Sequence, residues 1–196
     1  MSTSDFSRRR FVGTVAGAAA AWLTVPWSEL LAAGADAARA AAAEPPAPFE
    51  VLTPVQAAAL DAFAAEILPS DDTPGAREAN AVRFVDRALA TFAADMKKQV
   101  QDGAADLDRR ARAAHSPATS FAALDSPSRI TIMREMEAAK SDFFELARSM
   151  VLVGVFANPS YGGNAEKSGW QVIGFEDRFV WSPPFGYYDQ DGHADG

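Results

Sequence analysis

The sequence predicts an all-α fold, a small irregular helix bundle of about five helices with an extended aromatic-rich C-terminal arm. Three observations carry the prediction. Apolar residues recur at three- and four-residue spacing from residue 53 to about 157. Thr, Ser, Pro and Gly punctuate that stretch where helices begin and end. No segment alternates apolar and polar residues as a half-buried strand does.

The helices follow in order. Thr53 is a good N-cap, Pro54 suits the first helical position, and Gln56 completes a capping box, with Leu60, Phe63 and Ile67 on one face and Pro69 as the stop. The polar run Ser70-Asp71-Asp72-Thr73-Pro74-Gly75-Ala76-Arg77 reads as a turn. A second helix is expected from about Glu78 to Phe92, with Val82, Val85, Leu89 and Phe92 on its stripe. A third, charged helix covers about Met96 to Ala114, with Met96, Val100, Leu107 and Ala111 as its apolar side. Gly103 weakens it by roughly 1 kcal/mol relative to Ala, which leaves room for a break there. Ser126-Pro127 opens a fourth helix to about Ala139, with Ile130, Met133 and Met136 inward. The fifth, about Ser141 to Ala157, is apolar nearly all round and belongs at the centre of the core or against a partner. After Asn158-Pro159 the helical pattern stops. Gly, Pro and aromatic residues dominate to the end.

Ahead of the body stands Ser7-Arg8-Arg9-Arg10-Phe11, a polar residue, an Arg run and a large apolar residue. Twelve weakly hydrophobic residues follow, then an Ala-rich tract with small-residue cleavage options between Ala33 and Ala43. This is the layout of a twin-arginine export signal in which Arg8, Arg9 and Phe11 are read. Twelve apolar residues are too few to span a membrane, which takes about 20. The expected organisation is a signal and cleavage region at 1–43, a Pro-rich linker at 44–52, a helical domain at 53–175 and the arm at 176–196. The expected location is the periplasm.

Composition narrows the chemistry. The chain carries 18 basic and 26 acidic residues, a net −8. The first 43 residues hold four basic and three acidic groups, so the remainder carries 14 against 23, a net −9. Such acidity argues against nucleic acid as a partner. The chain has no Cys, which removes disulfides, iron–sulfur ligation, thiolate zinc sites and covalent c-type haem attachment. Its two His are far apart, and neither nucleotide-binding glycine pattern occurs. The expectation is a chain with no cofactor of its own, whose export route for folded proteins serves a passenger.

Asp71-Asp72 could bind a cation as adjacent carboxylates, but adjacent turn residues seldom converge on one ion, and bonding to turn amides is the preferred reading. Asp61 and Glu66 are expected on the solvated side of the first helix. A Ser-His-Asp triad has little support with two His.

The strongest signal lies beyond the fifth helix. Phe156-x-Asn158-Pro159-x-Tyr161-Gly162-Gly163-Asn164 is followed by Gly169-Trp170 and Ile173-Gly174. Gly162-Gly163 permits close backbone approach, and Trp170 supplies a large anchor. This order is similar to the end of the small subunit of gluconate 2-dehydrogenase, the subunit 3 family. The earlier run from Ile67 through Leu68-Pro69, Asp71 and Pro74-Gly75-Ala76 to Asp86-Arg87 resembles that family's other signature. The resemblance spans about Leu52 to Gly174.

The resemblance implies a subunit that accompanies a large FAD-dependent flavoprotein of the glucose-methanol-choline oxidoreductase type, often with a c-type cytochrome subunit. The large subunit binds FAD and oxidises a sugar, polyol or sugar acid. The small subunit's signal carries both through the twin-arginine translocase. Tyr161, Gly162, Gly163, Asn164 and Trp170 are then candidate partner contacts, with Phe179, Trp181, Phe185, Tyr187 and Tyr188 on the arm. Self-packing is the competing reading for each. Two other functions stay open: a free-standing carbohydrate-binding module stacking sugars on Trp170, Trp181 and Tyr187, and a small metal-dependent hydrolase using Asp71 and Asp72.

Overall fold

The computed structural model describes residues 47–115, 117–159 and 163–177, with a few isolated positions between 28 and 43. Six α-helices form the body: α1 Pro54–Ile67, α2 Ala81–Ala90, α3 Lys97–Ala114, α4 Ser126–Ala138, α5 Asp142–Phe156 and α6 Ser168–Val172. Short 3₁₀ turns, Ala94–Met96 and Ala165–Lys167, precede α3 and α6. There is no strand among the described residues, and no helix there is long and apolar enough to cross a membrane.

Local chemistry explains the boundaries. At α1 the Thr53 hydroxyl accepts from the Gln56 N–H, and the Gln56 side chain accepts from the Thr53 N–H at 3.0 Å. This is the capping box the sequence announces. The start of α2 comes three residues later than expected. Asn80 adopts a left-handed backbone with φ 54°, so residues 76–80 close a turn before the helix can begin. In α4 the cap is Asp125, whose carboxylate accepts from the Ser128 N–H at 3.1 Å. Ser141 caps α5 through its hydroxyl.

The core sits around α5, which packs against each of the other five helices. Phe63 of α1 meets Phe144 edge-on at 5.6 Å between ring centroids and Phe143 at 6.0 Å. Such aromatic pairs add about 0.5–1.5 kcal/mol beyond the area they bury. Val100, Leu107, Leu89, Met136 and Met150 complete the buried centre.

Helix α3 runs unbroken through Gly103, because that glycine is where α5 approaches; an added Cβ would lie 1.9 Å from the Phe143 ring. Three expectations are corrected. In α4 the inward residues are Ile132, Met133 and Met136, while Ile130 is half-buried. Glu66 is not solvated: its side chain is 7% exposed, accepts from Arg129 Nε at 2.7 Å and from Ser126 Oγ at 2.8 Å, and ties α1 to the first turn of α4. Finally, helical structure resumes after Asn158-Pro159 as α6.

Candidate functional site

The two signature blocks, about 80 residues apart in sequence, meet at the C-terminal end of α5. A helix leaves its last carbonyls without partners, and at the buried end of α5 water cannot supply them. The segment 163–170 does. The Asn164 N–H donates to the Gly154 carbonyl at 2.7 Å, its side-chain amide donates to Ala157 at 2.9 Å, and Trp170 Nε1 donates to Phe156 at 3.0 Å. Asn164 Oδ1 in turn accepts from the Gly169 N–H at 2.8 Å. The residue is 0% exposed, with its side chain bonded at both ends inside the chain. Its backbone has φ 48°, a left-handed conformation Asn tolerates better than most residues.

Glycines let this loop lie directly on the helix. A Cβ at residue 163 would fall 1.9 Å from the Gly154 oxygen, and one at residue 169 would fall 2.1 Å from the Val155 oxygen. Gly154 itself faces Ala81 at the start of α2, where a Cβ would stand 3.1 Å from the Ala81 oxygen. The Ala165 N–H closes the arrangement by donating to the Ala79 carbonyl at 3.3 Å. Gly163, Asn164 and Gly169 thus form a clasp, a C-cap for α5 supplied by a loop that docks on the other signature block.

That other block is a turn closed on itself. The Asp71 carboxylate accepts from the Thr73 N–H at 2.9 Å and from its hydroxyl at 3.0 Å; the Thr73 amide, then the hydroxyl, hold it below the usual value. Glu78 accepts from Ser70 Oγ at 2.6 Å and the Gly75 N–H at 2.8 Å, and its carboxyl is also lowered, first by the Ser70 hydroxyl. Asp71 therefore bonds a turn amide. Among the described residues no three His, Asp or Glu side chains gather where they could hold a metal ion.

Asp86 closes the block with a role the sequence did not announce. Buried at α2, its carboxylate accepts the N–H groups of Glu50, Val51 and Leu52 at 2.8, 2.9 and 2.9 Å. Beside it an open groove of about 400 Å³ runs between α1 and α2, lined among others by Phe49, Ala57, Ala58, Asp61, Arg77 and Arg83. Asp61 and Arg77 pair across it at 2.7 Å.

Of the candidate contacts, Trp170 is half-buried, with its ring edge-on to Phe175 at 5.0 Å. Ile173 is 59% and Phe175 44% exposed, so the surface beyond the clasp carries two large apolar side chains among the exposed Gln171, Glu176 and Asp177. Lys167 and Asp177 bridge at 2.8 Å at its edge. Tyr161, Gly162, Phe179, Trp181, Phe185, Tyr187 and Tyr188 lie outside the described residues, as do Arg8, Arg9 and Phe11. Ile173 and Phe175 were missed as candidates because each stands alone, outside any periodic pattern.

A family model described as gluconate 2-dehydrogenase subunit 3 matches residues 54–177, from the first residue of α1 to the acidic partner of Lys167. No curated protein and no solved structure matches the chain. The match takes in the capping, the turn, the Asp86 carboxylate, α5 and the whole clasp, and this chain belongs to the gluconate 2-dehydrogenase subunit 3 family.

Proposed function

We propose that this chain is the non-catalytic small subunit of a periplasmic, membrane-associated dehydrogenase complex that oxidises a sugar, polyol or sugar acid. The family is described as a subunit of gluconate 2-dehydrogenase, and that membership supports a catalytic partner for this chain. In this reading the large partner binds FAD and performs the oxidation, and a c-type cytochrome subunit passes the electrons on. The small subunit folds and docks on the flavoprotein before export. Its Arg8-Arg9 signal then carries the pair through the twin-arginine translocase, and the helical body stays as a stabilising subunit.

The observation that carries the docking step is the surface beyond the clasp. Ile173 and Phe175 are exposed, Phe175 stacks edge-on with Trp170, which is bonded to the end of α5, and the aromatic residues from Phe179 to Tyr188 follow in sequence. Large aromatic side chains dominate interface energetics because they bury much area at small entropic cost. Rigid support from the α5 cap lowers the cost of ordering that surface on binding.

The test is recovery of the tagged chain from the periplasm, with an absorbance spectrum and mass identification of what accompanies it. A stoichiometric flavoprotein is expected. Ile173→Asp should cut its recovery about tenfold while leaving the thermal midpoint unchanged, since the side chain is largely exposed and its loss costs the fold little. Undiminished recovery with Ile173→Asp would remove this surface from the interface. A colourless monomer that binds saccharide would favour the carbohydrate-binding reading instead.

A further inference from the structure

Residues 47–52 precede the first helix and the family match, and a linker there has no need of a fixed path. They have one nonetheless. Leu52 is buried in the core. Its N–H and those of the two residues before it converge on the Asp86 carboxylate, with one oxygen taking two of them and the other oxygen the third. Arg83 bonds the Ala47 carbonyl and lays its guanidinium over the Phe49 ring at 4.6 Å. Arg87 pairs with Glu50. From α3, Gln101 Nε2 donates to the Val51 carbonyl at 2.9 Å, and the Gln101 carbonyl faces Gln56 Nε2 of α1 at 3.4 Å.

The holders come from two helices, α2 and α3, and Gln101 of α3 is itself bonded to α1 through Gln56. Neither α2 nor α3 makes all of these contacts alone, and a carboxylate buried without these three N–H donors would bear the full desolvation cost of its charge. Segment and carboxylate therefore need each other, and both need the assembled bundle. The hydrogen bonds go to backbone N–H groups, so they fix the path of the chain whatever its side chains.

We propose that residues 47–52 are a strap that closes only on the folded body and so roots everything upstream of Ala47 at one fixed point beside α2. For a leader that serves folded cargo, this makes the position of the leader a readout of folding. That second step rests on the export reading; the strap itself does not.

The full chain is digested with a trace of elastase, which cuts after small residues, and the fragments are identified by mass. In the wild type, trimming should stop upstream of Phe49. Asp86→Asn places a donating amide against N–H groups, and cleavage within 49–58 should then become at least about tenfold faster, because cutting tracks the open population. Where Asp86→Asn fails to fold, Glu50→Pro is used. It removes one donated N–H and the Arg87 pair from the strap side, leaves every residue of the helices in place, and should likewise speed cleavage.

Wild-type cutting within 49–53 as fast as in the upstream alanines overturns the strap. So does an unchanged pattern in both variants. Export of the variants, compared at equal thermal midpoint, tests the readout of folding: it should fall several-fold, and full export with an open strap overturns that step. Arg8→Lys with Arg9→Lys is run alongside. If this pair exports normally, the signal reading fails, and the digestion still decides the strap.

Discussion

Asn164 concentrates more of the structure than any other polar residue. Its fully buried amide is held between the Ala157 carbonyl and the Gly169 N–H. Asn164→Ala takes the partner from both groups and puts Ala at a left-handed φ, so it should cost about 2–4 kcal/mol in urea unfolding. A loss below about 0.5 kcal/mol would show that the clasp contributes little. Gly163→Ala should be as severe, because the new Cβ meets the Gly154 backbone oxygen and backbone cannot swing aside as a side-chain tip can. The sequence made Gly163 and Asn164 visible as a motif, but not the side that they serve. A Gly-Gly-Asn run states that a backbone comes close; which backbone depends on Gly154, whose lack of a side chain reads locally as a flaw in an apolar helix. The ion pair of Glu66 with Arg129 was hidden for a similar reason, since nothing local to Glu66 marks a partner 63 residues away.

At the scale of elements, two effects compete at Gly103. Replacing a mid-helix glycine by Ala gains about 1 kcal/mol of helix propensity. Against this, the added methyl overlaps the Phe143 ring, and overpacking a well-filled core costs typically 1–3 kcal/mol. Packing wins, and Gly103→Ala should lower stability. Gly103→Ala with Phe143→Leu should recover part of the loss, which a double-mutant cycle in urea measures. The start of α4 gives a pH test. The Ser128 side-chain and backbone hydrogen bonds hold the Asp125 carboxyl below its ordinary value of 3.8. A depressed folded value contributes stability that is fully present above 3.8 and lost as pH falls through the folded value. The urea midpoint should therefore stay flat from neutral pH to about 5 and fall below about 4. Asp125→Asn, which keeps a competent cap without the titration, should flatten part of that fall. Long elements with caps are legible: the start of α1 is fixed to the residue by its capping box, and α5 agrees within one residue at each end. Short or distorted ones were not. Five residues of α6 give periodicity too little to work on, and the left-handed Asn80 that delays α2 looks like any polar residue in a helix.

For the whole molecule, all-α architecture and membership of a dehydrogenase subunit family follow from the sequence, while the interface does not. Periodicity reports what a chain buries in itself. It is silent on Ile173 and Phe175, which the body leaves exposed. If the docking surface lies there, flavoprotein bound to this chain should protect the amides of α6 and the following residues from hydrogen exchange, with little change in α3. Equal protection of both helices would place the partner elsewhere or point to general stiffening.

Helix α2 is ten residues long and holds both ends of the body. Asp86 fastens residues 50–52, and the turn at Ala79 and Ala81 receives the loop around Asn164. Within the helix, Ala81 and Asp86 stand about 7.5 Å apart along the axis, at 1.5 Å of rise per residue. The domain is in this sense a ring with its seam on a single helix. The same geometry means that a pull on the segment before α1 and a pull on the loop after α5 are both borne by one ten-residue helix.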